Sequence, residues 1–192
     1  MDFIQVLQNS GTLIVASITI ARYLCVVLGF IVFVRAILDM IAVSDPVNAT
    51  RFMTTVRRPS ASGVVVKLII AMLLVQLGLN LQLVDVMGSL LNDTRPNAVT
   101  YYDYSQTVGN SYTAELSLTI LVVIGICQLV GIMAMIKGLL IWRDNSDGIG
   151  KSSNAQGFVY ILGGMLSYKI EDVHALVATI FGLDFFKIIG LS

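Results

Sequence analysis

Charge is scarce in this chain. Only 12% of its 192 residues are Asp, Glu, Lys or Arg, about half the share of a soluble globular domain. The twelve acidic and twelve basic side chains cancel, so no net field points to nucleic acid or to an acidic partner. Cysteine is limited to Cys25 and Cys127 and histidine to His174, too few for a disulfide framework or a metal-ligand set. Both cysteines lie inside apolar runs and are expected as small buried hydrophobes. A glycine-rich phosphate loop, a nucleophile elbow and paired intramembrane carboxylates at helical spacing are absent as well. No polar stretch is long enough to house a catalytic domain. These absences argue against an enzyme and call for no cofactor and no metal.

What the chain has in quantity is apolar sequence, 56% of all residues, gathered into four runs. They cover residues 12–43, 63–91, 114–142 and 157–191, each at least as long as the ~20 residues that cross a hydrocarbon core of about 30 Å. The fold class expected is all-α and integral to a membrane, with four transmembrane helices. The first run is not expected to be a cleaved secretory signal, because residues 1–11 carry Asp2 and no basic residue.

The connectors between the runs set an orientation. The first, residues 44–61, holds Arg51, Arg57 and Arg58, with Lys67 just after it; the third, residues 143–156, holds Arg143 and Lys151. Basic loops are retained in the cytoplasm, so both are placed there. The middle connector, residues 92–113, carries Arg95, Asp93 and Asp103 together with Tyr101, Tyr102, Tyr104 and Tyr112. Tyrosine favours the membrane–water boundary, and this connector is placed outside with both termini. For a bacterial inner membrane that makes the termini periplasmic. Asn48-Ala49-Thr50 fits the glycosylation pattern but lies in a loop assigned to the cytoplasm.

The halves of the chain resemble each other. Moved forward by 102, Cys25 meets Cys127, Gly29 meets Gly131, Ser44 and Asp45 meet Ser146 and Asp147, and Arg35 meets Lys137. Moved forward by 93, Val66 meets Val159, Met72 meets Met165 and Leu83 meets Leu176. The two offsets differ by a nine-residue shortening of the second basic loop. One membrane domain, 1–192, is therefore expected to consist of two tandem helical hairpins, 1–94 and 95–192. They form a parallel repeat, unlike the inverted repeats of many transporters. Pro46, Pro59, Gly148 and Gly150 mark the loop turns, and Pro96 the middle connector.

Arg35 and Lys137 lie about two turns before their basic loops, inside apolar sequence. A cation at the bilayer centre costs roughly 2.5–3.5 kcal/mol, and less where it snorkels to the interface. Arg35 has Asp39 four residues on, the spacing of a same-face pair; Lys137 has Ile141 there and needs another partner. These two cations, with Arg51, Arg57, Arg58, Arg143 and Lys151, are candidates for phospholipid phosphates or for a polar lumen between subunits. Snorkelling and topology setting explain them more plainly. Arg22, with Ile124 as its counterpart, is read as the outer end of the first span or as a contact to another subunit, with residues 11–21 extending beyond the bilayer core. Gly29, Gly131, Gly163 and Gly164 are candidate helix-packing positions, since small residues let helices approach closely. The fourth run is interrupted by Lys169, Glu171, Asp172 and His174, and its first-half counterpart by Gln76, Asn80, Gln82 and Asp85. Polar groups at both places suggest helices facing protein rather than bare lipid. A proton relay at His174 is the sharper reading, a solvated histidine the plainer one.

The segment Gly163-Gly164-Met165-Leu166-Ser167-Tyr168-Lys169-Ile170, followed by Ile180-Phe181-Gly182-Leu183, resembles the C-terminal region of the IcmC/DotE proteins. These are membrane components of the Dot/Icm type IVB secretion apparatus, and the conjugation protein TraQ is their relative. Each half alone, with helix, short basic loop, helix and both ends outside, is similar to the plan of conjugative pilins. That likeness implies subunits that leave the inner membrane with bound phospholipid and build a helical tube, with the loop cations facing lipid headgroups. A departure is the lack of a pilin-type cleavable leader. The function expected is a structural, self-associating, pilin-like subunit of a type IV secretion or conjugation machine. Its partners would be sister subunits in a homo-oligomer or polymer, phospholipids and other secretion-system membrane proteins. The alternatives are a small transporter or channel subunit with a polar path between helices, and an inner-membrane assembly scaffold.

Overall fold

The computed structural model describes residues 3–44, 60–79, 112–170 and 173. These residues form four helices and no strand: α1 Phe3–Ser44, α2 Ala61–Leu79, α3 Tyr112–Ser146 and α4 Asn154–Tyr168. Three stretches are long and apolar enough to cross a membrane: Asn9–Ser44, Ala61–Leu79 and Val122–Ser146. They are compatible with a membrane protein. The fourth apolar run contributes the 15-residue α4; of residues 171–192 only Val173 is described, so the part of that run that would complete a crossing lies outside the described residues.

Local chemistry fixes the helix ends. Ser60 caps α2, its Oγ accepting from Gly63 N at 3.1 Å, and Ser153 caps α4, its Oγ accepting from Gln156 N at 3.2 Å. Each satisfies an amide that the first turn leaves without a partner. α3 closes in a left-handed turn at Gly148, φ 69°. Gly148 N donates to Asn145 O and Ile149 N donates to Asp144 O, the paired bonds that end a helix on a glycine.

The helices pack as two antiparallel pairs. In α1 and α2, Gly78 lies against Arg22 and Val26, and Gly29 against Ala71 and Val75. In α3 and α4, Gly131 lies against Gly164 and Tyr168, and Gly138 against Gly157 and Ile161. A methyl group at Gly131 would stand 2.6 Å from Gly164 O and 2.8 Å from Tyr168 N, which only an absent side chain permits. Gly29, Gly131 and Gly164 each lie against a neighbouring helix. Gly163 does not: a Cβ there would meet nothing within 4 Å. It faces outward while its neighbour Gly164 faces α3.

Between the pairs lies one apolar core. Val32 of α1, Ile70 and Leu74 of α2, and Ile132, Met135 and Leu139 of α3 are all fully buried in it. Cys25 is buried there and Cys127 partly so, both as free thiols. Interdigitated side chains of this kind hold helices together in lipid as they do in water, through dispersion contacts.

Candidate functional site

The polar groups that the fold gathers lie at one end, where α1 finishes, α2 begins and α3 finishes. Ser60 starts α2 there, and two turns later the helix presents Lys67 inward, 7% exposed. Its Nζ donates to Asp39 Oδ2 of α1 and is ion-paired with Asp147 Oδ1, at the residue that follows α3. Lys67 therefore joins three helices through two carboxylates. Asp147 sits at a helix C-terminus, where the backbone carbonyls disfavour an anion, and the ammonium offsets that cost. Gly63, one turn before Lys67, lets Ser146 O come within 3.2 Å of where its Cβ would be, which brings the ends of α2 and α3 together.

This arrangement corrects one expectation. Asp39 was placed beside Arg35 by its four-residue spacing, yet its described partner is Lys67 on the neighbouring helix. A buried ammonium has more to gain from a carboxylate than a guanidinium that can reach solvent. Arg35 is exposed. The sign that could have found the triad was present: a lysine and an aspartate, each inside an apolar run on consecutive helices, need mutual compensation.

Lys137 finds its partner on α4. Its Nζ donates to Tyr160 Oη at 3.1 Å and stands 4.5 Å from the ring centroid, a cation–π contact as well as a hydrogen bond. Arg143 is engaged by its neighbour Asp144, with Nη2 to Oδ1 at 2.6 Å. Lys151 is exposed in the α3–α4 turn. Arg51, Arg57 and Arg58 lie outside the described residues, as do Gln82, Asp85, Glu171, Asp172 and His174. The structure thus places Arg35, Lys137 and Lys151 at the surface and does not bring them together into one site.

Arg22 has partners within the chain. It reaches across to α2: its Nε donates to Gly78 O at 3.2 Å and its Nη2 to Leu79 O at 2.6 Å. The α3–α4 pair is held by different bonds: Ser167 Oγ to Cys127 O at 2.7 Å, Trp142 Nε1 to Asn154 O at 2.9 Å and Asn145 Nδ2 to Asn154 Oδ1 at 2.8 Å. Among the described residues no cluster of three or more His, Cys, Asp or Glu side chains could hold a metal ion. The ion triad fixes three helix ends with charges that lipid would otherwise reject. The chain matches no family model, no curated protein and no solved structure.

Proposed function

We propose that this protein is a structural, self-associating membrane subunit built from two tandem hairpins, 1–94 and 95–192, with four spans and no chemistry of its own. The observation that carries this reading is a repeated helix crossing. Gly29 sits against Ala71 O and Val75 N, at 3.1 and 3.0 Å from the position of a Cβ. Gly131 sits against Gly164 O and Tyr168 N, at 2.6 and 2.8 Å. The offsets of 102 and 93 read from the sequence carry Gly29 onto Gly131, Ala71 onto Gly164 and Val75 onto Tyr168. One contact made twice by corresponding backbone atoms is what duplication of a hairpin produces, and two unrelated helix pairs have no reason to share it.

In this reading the basic loops face the cytoplasm and the termini the periplasm. The resemblance of Gly163–Ile170 to the IcmC/DotE and TraQ proteins, and of each half to a pilin hairpin, supports reading the subunit as part of a bacterial type IV secretion or conjugation apparatus. Arg35 and Lys137, corresponding cations on the outer faces of α1 and α3, are the groups that would meet phospholipid phosphate. Purification from membranes followed by electron microscopy and lipid analysis tests this. The expected result is helical polymers that carry phospholipid and lose it when Arg35 and Lys137 are changed to glutamine. Discrete oligomers free of lipid would exclude a pilin-like role.

A further inference from the structure

We infer that the ion triad is a two-state clasp, which opens by passing each aspartate to an arginine on its own helix. The inference shares the membrane placement of the reading above and does not need its polymer. Asp39 and Asp147 each have an arginine four residues earlier, Arg35 on α1 and Arg143 on α3. Residues four apart in a helix lie on one face, one turn from each other. The helical bond from Asp147 N to Arg143 O, at 3.1 Å, keeps that geometry at the end of α3. Among the described residues neither arginine is bonded to its aspartate. Asp39 is bonded to Lys67 while Arg35 stands exposed. Asp147 is also paired with Lys67, and Arg143 is turned to Asp144, which accepts from its Nε at 2.9 Å and its Nη2 at 2.6 Å.

The doubled spacing is not inherited from one half by the other. At the offset of 102, the counterparts of Arg35 and Asp39 are Lys137 and Ile141, and those of Arg143 and Asp147 are Ile41 and Asp45. The two pairs are built separately, and what they share is the lysine between their acids.

Two carboxylates left without a cation would hold the junction shut, because breaking a buried ion pair on one side only is costly. The local arginines remove that obstacle. On opening, Asp39 turns to Arg35 and Asp147 to Arg143, and Asp144, already 38% exposed, returns to water. Lys67 lies seven residues after Ser60, about 10 Å along α2, and its flexible stem lets the ammonium rise to the membrane boundary. Every charge has a place in both states, so the start of α2 can leave the ends of α1 and α3. The closed state is the favoured one for two reasons. Lys67 is shared by two acids there, and an arginine placed before its acid is the weaker order on a helix. Asp39 belongs to the first hairpin and Asp147 to the second, so opening loosens the junction between them.

Acylation of the Lys67 amine tests the clasp. In the closed state its side chain is 8% exposed and held by two carboxylates, so acetic anhydride reaches it from the open state. Exposed Lys151 is the internal standard, and peptide mass spectrometry of the purified full chain in detergent reads both rates. Arg35→Gln takes a partner from the open state alone and should slow Lys67 labelling relative to Lys151 by about twofold, the worth of one such helix pair. Asp144→Asn releases Arg143 to Asp147 and should speed labelling by about twofold. Adding Arg143→Gln to Asp144→Asn should bring the rate back to that of the parent, and Arg35→Lys, which keeps the cation, should leave it unchanged. An Arg35 that braces the closed fold gives the opposite sign, with faster labelling of Arg35→Gln. That result, rates that ignore both arginines, a slower Asp144→Asn variant, or a Lys67 that is never acylated would overturn the inference. The labelling reads a single subunit, so these failures leave the pilin-like role standing, and discrete lipid-free oligomers would exclude that role while leaving the clasp.

Discussion

Replacing Lys67 by methionine removes the one cation between Asp39 and Asp147 while keeping most of the side-chain volume. The Lys67 side chain is 8% exposed and its two partners are 17% and 15% exposed, so the change leaves two partly wet carboxylates facing each other. Breaking a buried ion pair by deleting one partner costs roughly 3–5 kcal/mol, and residual solvent access at the carboxylates places the expected loss at the lower end, about 3 kcal/mol. For a chain of this length each kcal/mol moves a melting midpoint by about 2–4 °C, so Lys67→Met should melt about 6–12 °C below the parent in the same detergent. The triple variant Lys67→Met, Asp39→Asn, Asp147→Asn removes all three charges and should recover most of that loss, since neutral replacement of a buried ionic group is often near zero in cost. The pattern, a large single effect rescued by two further substitutions, is a coupling that independent sites do not show. Near-ultraviolet circular dichroism against temperature reads it. A Lys67→Met protein that melts with the parent, or a triple variant that melts below the single one, would refute the claim that this lysine holds three helix ends together.

Three other outcomes are expected. Gly131→Ala forces its methyl group to within 2.6 Å of Gly164 O and should destabilise the α3–α4 pair by about 1–3 kcal/mol, whereas Gly163→Ala, with open space around it, should stabilise an isolated subunit by up to about 1 kcal/mol; paired thermal melts check both. Arg22→Met removes two charge-assisted bonds to the Gly78 and Leu79 carbonyls of α2 and should cost about 1–2 kcal/mol, seen as faster amide hydrogen exchange in the last described turn of α2. Thr55→Cys and Gly150→Cys should both react with an impermeant thiol reagent from the cytoplasmic side only, and reaction from opposite sides would end the two-hairpin topology.

The helical architecture was legible because hydrophobic length needs no partner to be read. The bounds of α1 and α3 lie within about ten residues of their apolar runs, and the Ser and Gly residues that cap the helices are ordinary punctuation. The close crossing at Gly29 and Gly131 was legible because the two halves keep it as glycine. The Gly138–Gly157 contact escaped notice, since the corresponding first-half positions are Ala36 and Val64. The ion triad escaped for a different reason. Spacing along one helix pairs Arg35 with Asp39, and that local pairing hid the need of Lys67, buried in the next apolar run, for a carboxylate of its own. Tyr160, likewise, looks like one more aromatic residue until α4 is laid antiparallel on α3 and meets Lys137.

The two proposed repeats differ most where their charges lie, and the difference divides labour among the cations. At the offset of 93, Lys67 corresponds to Tyr160; at the offset of 102, Asp39 corresponds to Ile141 and Arg35 to Lys137. Among the described residues, each proposed hairpin keeps an outward cation on its first helix, Arg35 or Lys137, and the first also carries the inward Lys67. Lys67 takes one carboxylate from its own hairpin and the other, Asp147, from the second. Separating the hairpins would leave Lys67 with Asp39 alone and Asp147 without its cation, so an ion triad of this kind acts as a clasp between repeats that a symmetric pair of hairpins would lack. It also removes Lys67 from the cations open to an anionic ligand, whereas Arg35 stays exposed and Lys137 is held only by a neutral phenol and its ring. A lipid phosphate competing for Lys137 would displace one hydrogen bond; competing for Lys67 it would have to displace two carboxylates and open the junction of three helices. Lipid retention should therefore respond to Arg35 and Lys137 variants at unchanged melting temperature, and Lys67 variants should show the opposite.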